Sequence, residues 1–310
     1  MKAKALVCFL LTGVVVLFSA QPFVSAQVSD GMRRGFTVTD ADDPNPNEAS
    51  HRVFAINLDN AAATLQRGLS GVPQELEGLF SVDNTSTHRS NLFGVAETPD
   101  GTGSPLPSNC VNLTPAAVSA SGVGVEVGLT GVNFGTETGA AWDHTTNTSY
   151  AVFSNDLTTN VGGQQFPATM LVAFNPGGCA SGFTTISIND GIYIDGLAVG
   201  GDGTLYGTDA RLTDSLYRYN FVDLEWELVG PFGGSFNEDS GLANYRGLGG
   251  GETNLYMITE GDGALLGRLW TVNNTNGQAT LVGDITMSGV EVPEDLEGFE
   301  IPYFPLEGEQ

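Results

Sequence analysis

The sequence predicts an all-β protein built from repeated four-stranded sheets. Helical periodicity is nearly absent after the first 26 residues, and short alternating runs are separated by Gly, Asn and Asp. A unit that opens with a glycine recurs along the chain, at spacings of 61, 57, 51 and 51 residues. The anchor glycines of these units are Gly78, Gly139, Gly196, Gly247 and Gly298. Four-stranded repeats of this size are typical of the blades of a β-propeller.

The clearest copy of the unit predicts four strands, at residues 195–199, 205–209, 216–220 and 226–230. A second copy predicts strands at residues 246–248, 255–258, 268–272 and 278–283. In that copy Asn276-Gly277 stands where a tight hairpin needs positive φ. Two weaker copies open near Gly78 and Gly139.

The C-terminus carries only one predicted strand, at residues 297–301, and its partners are expected near the N-terminus, at residues 35–38, 52–57 and 63–67. Pairing the N-terminal strands with the C-terminal strand closes the ring and leaves no terminal sheet edge. We therefore predict five blades. Six blades are an alternative, because residues 99–135 show no clear strand pattern and two weak copies could have been merged there. A β-sandwich is the other structural alternative.

The N-terminus predicts a secretory signal peptide over residues 1–26. Lys2 and Lys4 precede an apolar stretch, and Val24-Ser25-Ala26 has the form of a signal-peptidase site. An uncleaved membrane anchor is the alternative. Residues 27–310 are then expected to form a single β-propeller domain that is secreted, extracellular or periplasmic, with no membrane span after cleavage. A compartment of this kind permits a disulfide between Cys110 and Cys179, which the sequence does not pair by itself.

The charge of the chain is strongly acidic. Asp and Glu number 36 against 11 Lys and Arg, for a net charge of −25, and both lysines lie in the predicted signal peptide. Phosphate binding needs a basic surface, so nucleic acid and anionic membranes are excluded as partners. The acidity is compatible with two explanations, a cation site or adaptation of an exported protein to salt.

The strand openings and repeats resemble those of secreted bacterial β-propellers of the broad lactonase, phytase-like and NHL/YVTN-type superfamily. The resemblance rests on D-G-L-A-V at 195–199, L-Y-G-T-D at 205–209 and L-Y-R-Y-N at 216–220. It implies the fold and leaves the activity open. E-L-E-G-L at 75–79 and D-L-E-G-F at 295–299 resemble openings in phytase-like and esterase-like propellers, in which acids near the channel can bind Ca²⁺.

Candidate site residues precede the anchor glycines. If the repeats align as predicted, Glu77, Asp195, Arg246 and Glu297 surround the mouth of the central channel. Carboxylates are the ligands that Ca²⁺ prefers, so Glu77, Asp195 and Glu297 are expected to hold the metal and Arg246 to contact a ligand. A second metal-site candidate is the acidic loop with Asp40, Asp42 and Asp43.

The chain has no Gly-x-Ser-x-Gly, His-Glu-x-x-His or phosphate-loop motif. The sequence therefore favours a binding protein for an unknown extracellular ligand, glycan or protein. Its binding face is expected to carry the long loops between second and third strands and between blades, at residues 40–51, 97–108, 154–168, 230–245 and 284–295. The alternative is a Ca²⁺-dependent hydrolase, of lactonase, esterase or phytase-like type, at the channel mouth.

Overall fold

The computed structural model describes residues 33–39, 51–69, 76–96, 109–114, 125–129, 134, 137–161, 164–175, 182–236, 238–247, 251–260, 267–291 and 296–308. In these residues the protein is all-β and forms a five-bladed β-propeller, in which each blade is a sheet of four antiparallel strands. The predicted fold class is confirmed, and the six-blade and sandwich alternatives are wrong. The described residues include no helix long and apolar enough to cross a membrane.

Blades 1 to 3 follow one another along the chain. Blade 1 contains β4 (Leu76–Asn84), β5 (Arg89–Ala96), β6 (Asn109–Asn112) and β7 (Val125–Leu129). Blade 2 contains β8 (Glu137–Asp143), β9 (Thr148–Val161), β10 (Gln164–Phe174) and β11 (Phe183–Asp190). Blade 3 contains β12 (Gly196–Val199), β13 (Leu205–Asp209), β14 (Ser215–Asn220) and β15 (Glu225–Pro231).

Blade 4 contains β16 (Ser240–Asn244), β17 (Leu255–Thr259), β18 (Arg268–Val272) and β19 (Ala279–Asp284). A small hairpin, β20 (Thr286–Met287) and β21 (Val290–Glu291), follows it. Blade 5 joins the two ends of the chain: β22 (Leu296–Glu300) pairs with β1 (Arg34–Thr39), which continues into β2 (His51–Asn57) and β3 (Ala63–Leu69). The predicted closure of the ring is confirmed, with Val38 opposite Glu297.

Five hydrophobic cores hold the blades together, one between each pair of neighbours. The core between blades 1 and 2 contains the stacked rings of Phe80 and Phe93, whose centroids are 5.2 Å apart. The core between blades 5 and 1 includes Leu306, which is fully buried after the last strand. Within the described residues, each blade packs against both of its neighbours through one of these cores.

The five inner strands meet at the channel axis through glycines. A methyl group on Gly139 would lie 2.6 Å from the Asp195 carbonyl oxygen, and one on Gly241 would lie 2.6 Å from the Gly298 carbonyl carbon. Equivalent close approaches occur at Gly78, Gly196 and Gly298. The absence of a side chain lets each inner strand approach the backbone of the next blade, so glycine is required at these positions.

The predicted inner strand of blade 4 is wrong. The strand lies at Ser240–Asn244 and its anchor is Gly241, whereas Gly247 lies in a turn with φ +59°. The reason is a longer connection between the first and second strands of this blade. The sequence around Arg246-Gly247 resembles that around the other anchor glycines. Because extra residues join β16 to β17, the true inner strand around Gly241 lies further upstream than the repeat spacing predicts.

The connection predicted as a long loop at residues 154–168 is also different. The strands β9 and β10 extend into it, so this connection is mostly a β-hairpin, with Gln164 paired with Val161.

Candidate functional site

The side chains at one end of the inner strands are mainly acidic, and those at the other end are of both charges. The acidic end, here called the acidic entrance, lies where the inner strands begin, on the side of the long loops. Six carboxylates, one arginine and one tyrosine make up the acidic entrance: Glu77, Glu137, Asp195, Asp239, Glu260, Glu297, Arg211 and Tyr193. The sequence prediction that Glu77, Asp195 and Glu297 lie near one another is consistent with this placement, because each begins or immediately precedes an inner strand.

Asp195 is a deeply buried carboxylate of the acidic entrance. It is 4% exposed, and its Oδ1 accepts hydrogen bonds from the Gly196 amide at 2.7 Å and the Ser240 hydroxyl at 2.8 Å. Its Oδ2 is buried and has no hydrogen-bond partner among the residues that the structure describes. The residue lines a narrow crevice between the inner strands at the axis, with the backbone of Gly139, Gly196 and Gly241 around it. A buried oxygen of this kind creates a demand for a cation or a hydrogen-bond donor.

Glu77 and Glu297 lie on neighbouring blades. The Oε2 of Glu77 accepts a hydrogen bond from the Thr138 amide at 2.6 Å, which ties blade 1 to blade 2. The carboxyl of Glu297 lies close to the carboxyl of Glu260, which follows β17 in blade 4. Two like charges this close repel each other, so this half of the entrance is costly to charge fully.

Arg211 offsets the charge in the other half. It follows β13, and its Nη1 lies 3.3 Å from Glu137 Oε1 and 3.2 Å from Asp239 Oδ2. The same nitrogen lies 3.4 Å from the Tyr193 hydroxyl, which donates a hydrogen bond to Asp239 Oδ1 at 2.8 Å. The side chain of Arg211 is 38% exposed, so its guanidinium reaches the acids from the solvent side.

The proximity of these acids changes how they titrate. Burial, followed by repulsion from Asp239, raises the pKa of Glu137 to about 9 despite the opposing effect of Arg211. Burial and the charges of Asp239 and Asp209 raise the pKa of Asp195 well above its usual range. Burial and the contact with Glu260 raise the pKa of Glu297 in the same direction. Each shift means that the folded protein resists the addition of another negative charge here.

The acidic entrance can therefore act as an acceptor for positive charge. Carboxylate oxygens suit hard divalent cations and also organic cations such as guanidinium. Among the described side chains, no three Asp, Glu, His or Cys residues converge into a metal-binding group as they stand. The donor chemistry and the unpartnered Asp195 oxygen fit a cation, while a ready-formed coordination sphere is not seen in that part of the chain.

Arg246 does not lie with Glu77, Asp195 and Glu297, so its predicted place at the channel mouth is wrong. It follows β16 and lies at the other end of the inner strands, since the correct anchor of that blade is Gly241. Its Nη2 donates to Asp83 Oδ2 at 2.7 Å, and both side chains are almost fully buried, at 8% and 3% exposure. The guanidinium also packs over the rings of Trp142 and Tyr303, at 5.7 and 5.3 Å from their centroids.

Two other sequence predictions concern residues that are not described. Asp40, Asp42 and Asp43 lie outside the described residues, and so does Cys179. Cys110 is described; it is fully buried in the core between blades 1 and 2 and is disulfide-bonded.

Sequence reasoning missed Arg211 and Tyr193. Arg211 stands in a short turn after a well-predicted strand, in a repeat whose other copies have no arginine there. Its relevance depends on contacts with Glu137 and Asp239 from two other blades, and no spacing within its own repeat signals them.

No protein-family profile matches the sequence, and no curated protein matches it. Solved structures with a similar fold include a protein of unknown function from Bacteroides thetaiotaomicron, with 13% identity over 79% of this chain and 64% of that chain and a TM-score of 0.42. An exo-β-1,3-galactanase from Clostridium thermocellum has 12% identity over 66% and 48% of the two chains and a TM-score of 0.43. TolB from Acinetobacter baumannii has 9% identity over 88% and 68%, with a TM-score of 0.40. The chain thus spans less than two thirds of the first two, and these likenesses concern the fold alone.

Proposed function

We propose that this protein is a binding protein whose ligand is cationic and whose site is the acidic entrance. The observation that carries the proposal is the buried, unpartnered Oδ2 of Asp195 beside five further carboxylates. Arg211 supplies one positive charge against these six acids. A cation that enters from the long-loop side relieves their repulsion, and its binding is favoured by the low dielectric constant of the partly buried site.

Ca²⁺ is the cation that we propose first, with Glu77, Asp195 and Glu297 as the residues that would hold it. It would supply a compact double positive charge to oxygen ligands, which is the environment that Ca²⁺ prefers. An organic cation, such as an ammonium or guanidinium group of an extracellular ligand, shares this chemistry. The signal-like N-terminus supports an exported protein that meets such ligands outside the cytoplasm.

A Ca²⁺-dependent hydrolase at the channel mouth is the second candidate. One observation favours it: the raised pKa of Glu137, about 9, keeps a proton on this carboxyl at neutral pH beside Arg211. A carboxylic acid of this kind can act as a general acid. Turnover of a lactone, ester or phosphate ester that EDTA abolishes would favour this candidate over a binding protein.

The test of the proposed function is thermal unfolding in EDTA, in millimolar CaCl₂ and in NaCl of matched ionic strength. If the entrance binds Ca²⁺, CaCl₂ raises Tm by several degrees beyond NaCl, because a ligand that binds only the folded state stabilises it. Methylammonium and guanidinium chloride at the same low concentration test the organic cations.

The matched controls are Asp195→Asn and Asp223→Asn. Both remove one acid, but Asp223 lies in the exposed hairpin turn of blade 3. The stabilisation by the cation should be lost in Asp195→Asn and kept in Asp223→Asn. Equal stabilisation by all salts at matched ionic strength, in wild type and both variants, would leave general screening of an acidic protein as the explanation and reject the site.

A further inference from the structure

The acidic entrance already contains a cation that belongs to the chain, the guanidinium of Arg211. Its turn is held in place by Asp209, whose Oδ1 accepts the Leu212 amide at 2.7 Å and whose Oδ2 accepts the Thr213 hydroxyl at 2.7 Å. Asp214, at the end of the same turn, accepts the Phe236 amide at 2.7 Å. The backbone is therefore anchored, and Arg211 is directed towards Glu137 and Asp239 rather than into solvent.

The contacts of Arg211 are those of a loosely held charge. Among the described residues, its hydrogen bonds are all made by one nitrogen, Nη1, at 3.2 to 3.5 Å from two carboxylates and a phenol, and the guanidinium lies 6.0 Å from the centroid of the Tyr193 ring. Strong arginine–carboxylate pairs use two parallel hydrogen bonds at about 2.7–2.9 Å. Arg246 shows the contrast within this protein, because its pair with Asp83 is 2.7 Å long and almost fully buried. Arg211 is 38% exposed and has a path to solvent.

We propose that Arg211 is a built-in counter-ion of the acidic entrance, whose positive charge beside Glu137 and Asp239 opposes the binding of a cationic ligand at the neighbouring Glu77, Asp195 and Glu297. The inference rests on the proposed function and adds its regulation. While no ligand is bound, Arg211 lowers the repulsion between the acids and keeps the entrance folded. When a ligand binds, the same positive charge opposes it, so the affinity for the ligand is lower than the acids of the entrance would give without Arg211.

The test compares Arg211→Gln with Arg218→Gln. Both variants remove one positive charge, but Arg218 pairs with Glu227 on the outer strands of blade 3, where its side chain is 58% exposed. Binding of CaCl₂ is measured by titration calorimetry at constant ionic strength. Removing a neighbouring like charge from a partly buried site should tighten the Kd of Arg211→Gln by about tenfold. The Kd of Arg218→Gln should equal that of the wild type.

A second readout needs no metal. Arg211→Ala should melt at a lower temperature than wild type at low salt, and low millimolar guanidinium chloride should restore its Tm beyond matched NaCl. The added guanidinium takes the place of the missing side chain, so Arg218→Ala should not be restored in this way. The rescue tests whether a guanidinium charge is needed at this position, and the Ca²⁺ affinities separate a counter-ion from a merely structural ion pair.

The two readouts separate the outcomes. Equal Ca²⁺ affinities in wild type, Arg211→Gln and Arg218→Gln would overturn the counter-ion proposal and leave the proposed function standing. Rescue by guanidinium without any Ca²⁺ binding would remove Ca²⁺ as the ligand and support Arg211 as the counter-ion. Failure of both the tightened affinity and the rescue would overturn the proposal for Arg211 outright.

Discussion

Individual charged residues at the two ends of the channel are held differently. Arg246 and Asp83 form a short, buried ion pair that joins blades 4 and 1, and Glu300 of blade 5 lies beside them. The carboxyl of Glu300 accepts a hydrogen bond from the Ser81 hydroxyl at 2.5 Å. One arginine thus faces two carboxyls from two other blades. Replacing either member of such a buried pair leaves an uncompensated charge, which makes this end structural.

Glu300 gives the fold a pH dependence of known sign. Burial raises its pKa from an ordinary 4.5 to about 7, against the opposing effects of Ser81 and Arg246. The pKa of Glu300 is higher in the folded state than in the unfolded state, so protonation of this carboxyl stabilises the fold. Its contribution to the free energy of unfolding is complete below about pH 4.5 and is lost as the pH rises through 7. Glu300→Gln, which stays neutral, should therefore lose less stability than wild type between pH 5 and pH 8, with a difference of at most about 3 kcal/mol at about 1.4 kcal/mol per pKa unit.

The measurement is urea unfolding at several pH values. Glu307→Gln is the control, because Glu307 is exposed near the C-terminus and the substitution changes the charge equally. The charged groups that face Glu300, Arg246 and Asp83, are unchanged in both variants. If the free energy of unfolding depends on pH in the same way in wild type and Glu300→Gln, Glu300 is not the group that causes the pH dependence.

At the scale of the strand, the inner elements are defined by close approach at glycine. In Gly139→Ala, the new methyl group would lie 2.6 Å from the Asp195 carbonyl oxygen, a backbone atom that cannot rotate away. Overpacking of this kind costs about 1–3 kcal/mol. We expect Gly139→Ala to lower the free energy of unfolding by that amount in denaturant titrations.

Gly251→Ala is the matched control, since Gly251 lies in a connection and a methyl group there meets no atom within 4 Å. Its stability should equal that of the wild type or exceed it slightly, because alanine restricts the unfolded chain. Equal stability of both variants would show that the inner strands can move apart and that glycine is not required at the axis.

Strands were predictable where their pattern is local. The strand at Leu205–Asp209 and the strand at Arg268–Val272 have the predicted bounds, because alternation and turn residues within a few positions determine them. The inner strand of blade 4 was misplaced by the longer connection after it. The fourth strand of blade 2, Phe183–Asp190, has a mostly polar and exposed pattern that gives no apolar alternation.

At the scale of the whole molecule, the ring is closed by a strand from each end of the chain. Removing residues 296–310 deletes β22, uncovers the edge of β1 and opens the cores on both sides of blade 5. Exposed edges pair with other chains, so the truncated protein should aggregate or melt far below the full chain. Light scattering and circular dichroism measure both effects.

A synthetic peptide of residues 296–308, added during refolding, is the control for this experiment. It supplies the missing strand in trans, and it should restore soluble, folded protein, whereas a scrambled peptide should not. A truncated protein that stays monomeric and melts like the full chain would contradict the role of the closing strand.

The sequence by itself determined the all-β class, the repeated unit, the closure of the ring and the acids that precede the anchor glycines. These properties depend on alternation, turn residues and repeat spacing, which are local and can be read along one chain. The tertiary structure decided which charges meet. Arg211 reaches Glu137 and Asp239 across three blades, and Arg246 lies at the opposite end, because the length of each connection decides which residues form the inner strand. A shift of six residues in one blade, from Gly247 to Gly241, moves an arginine from one end of the channel to the other.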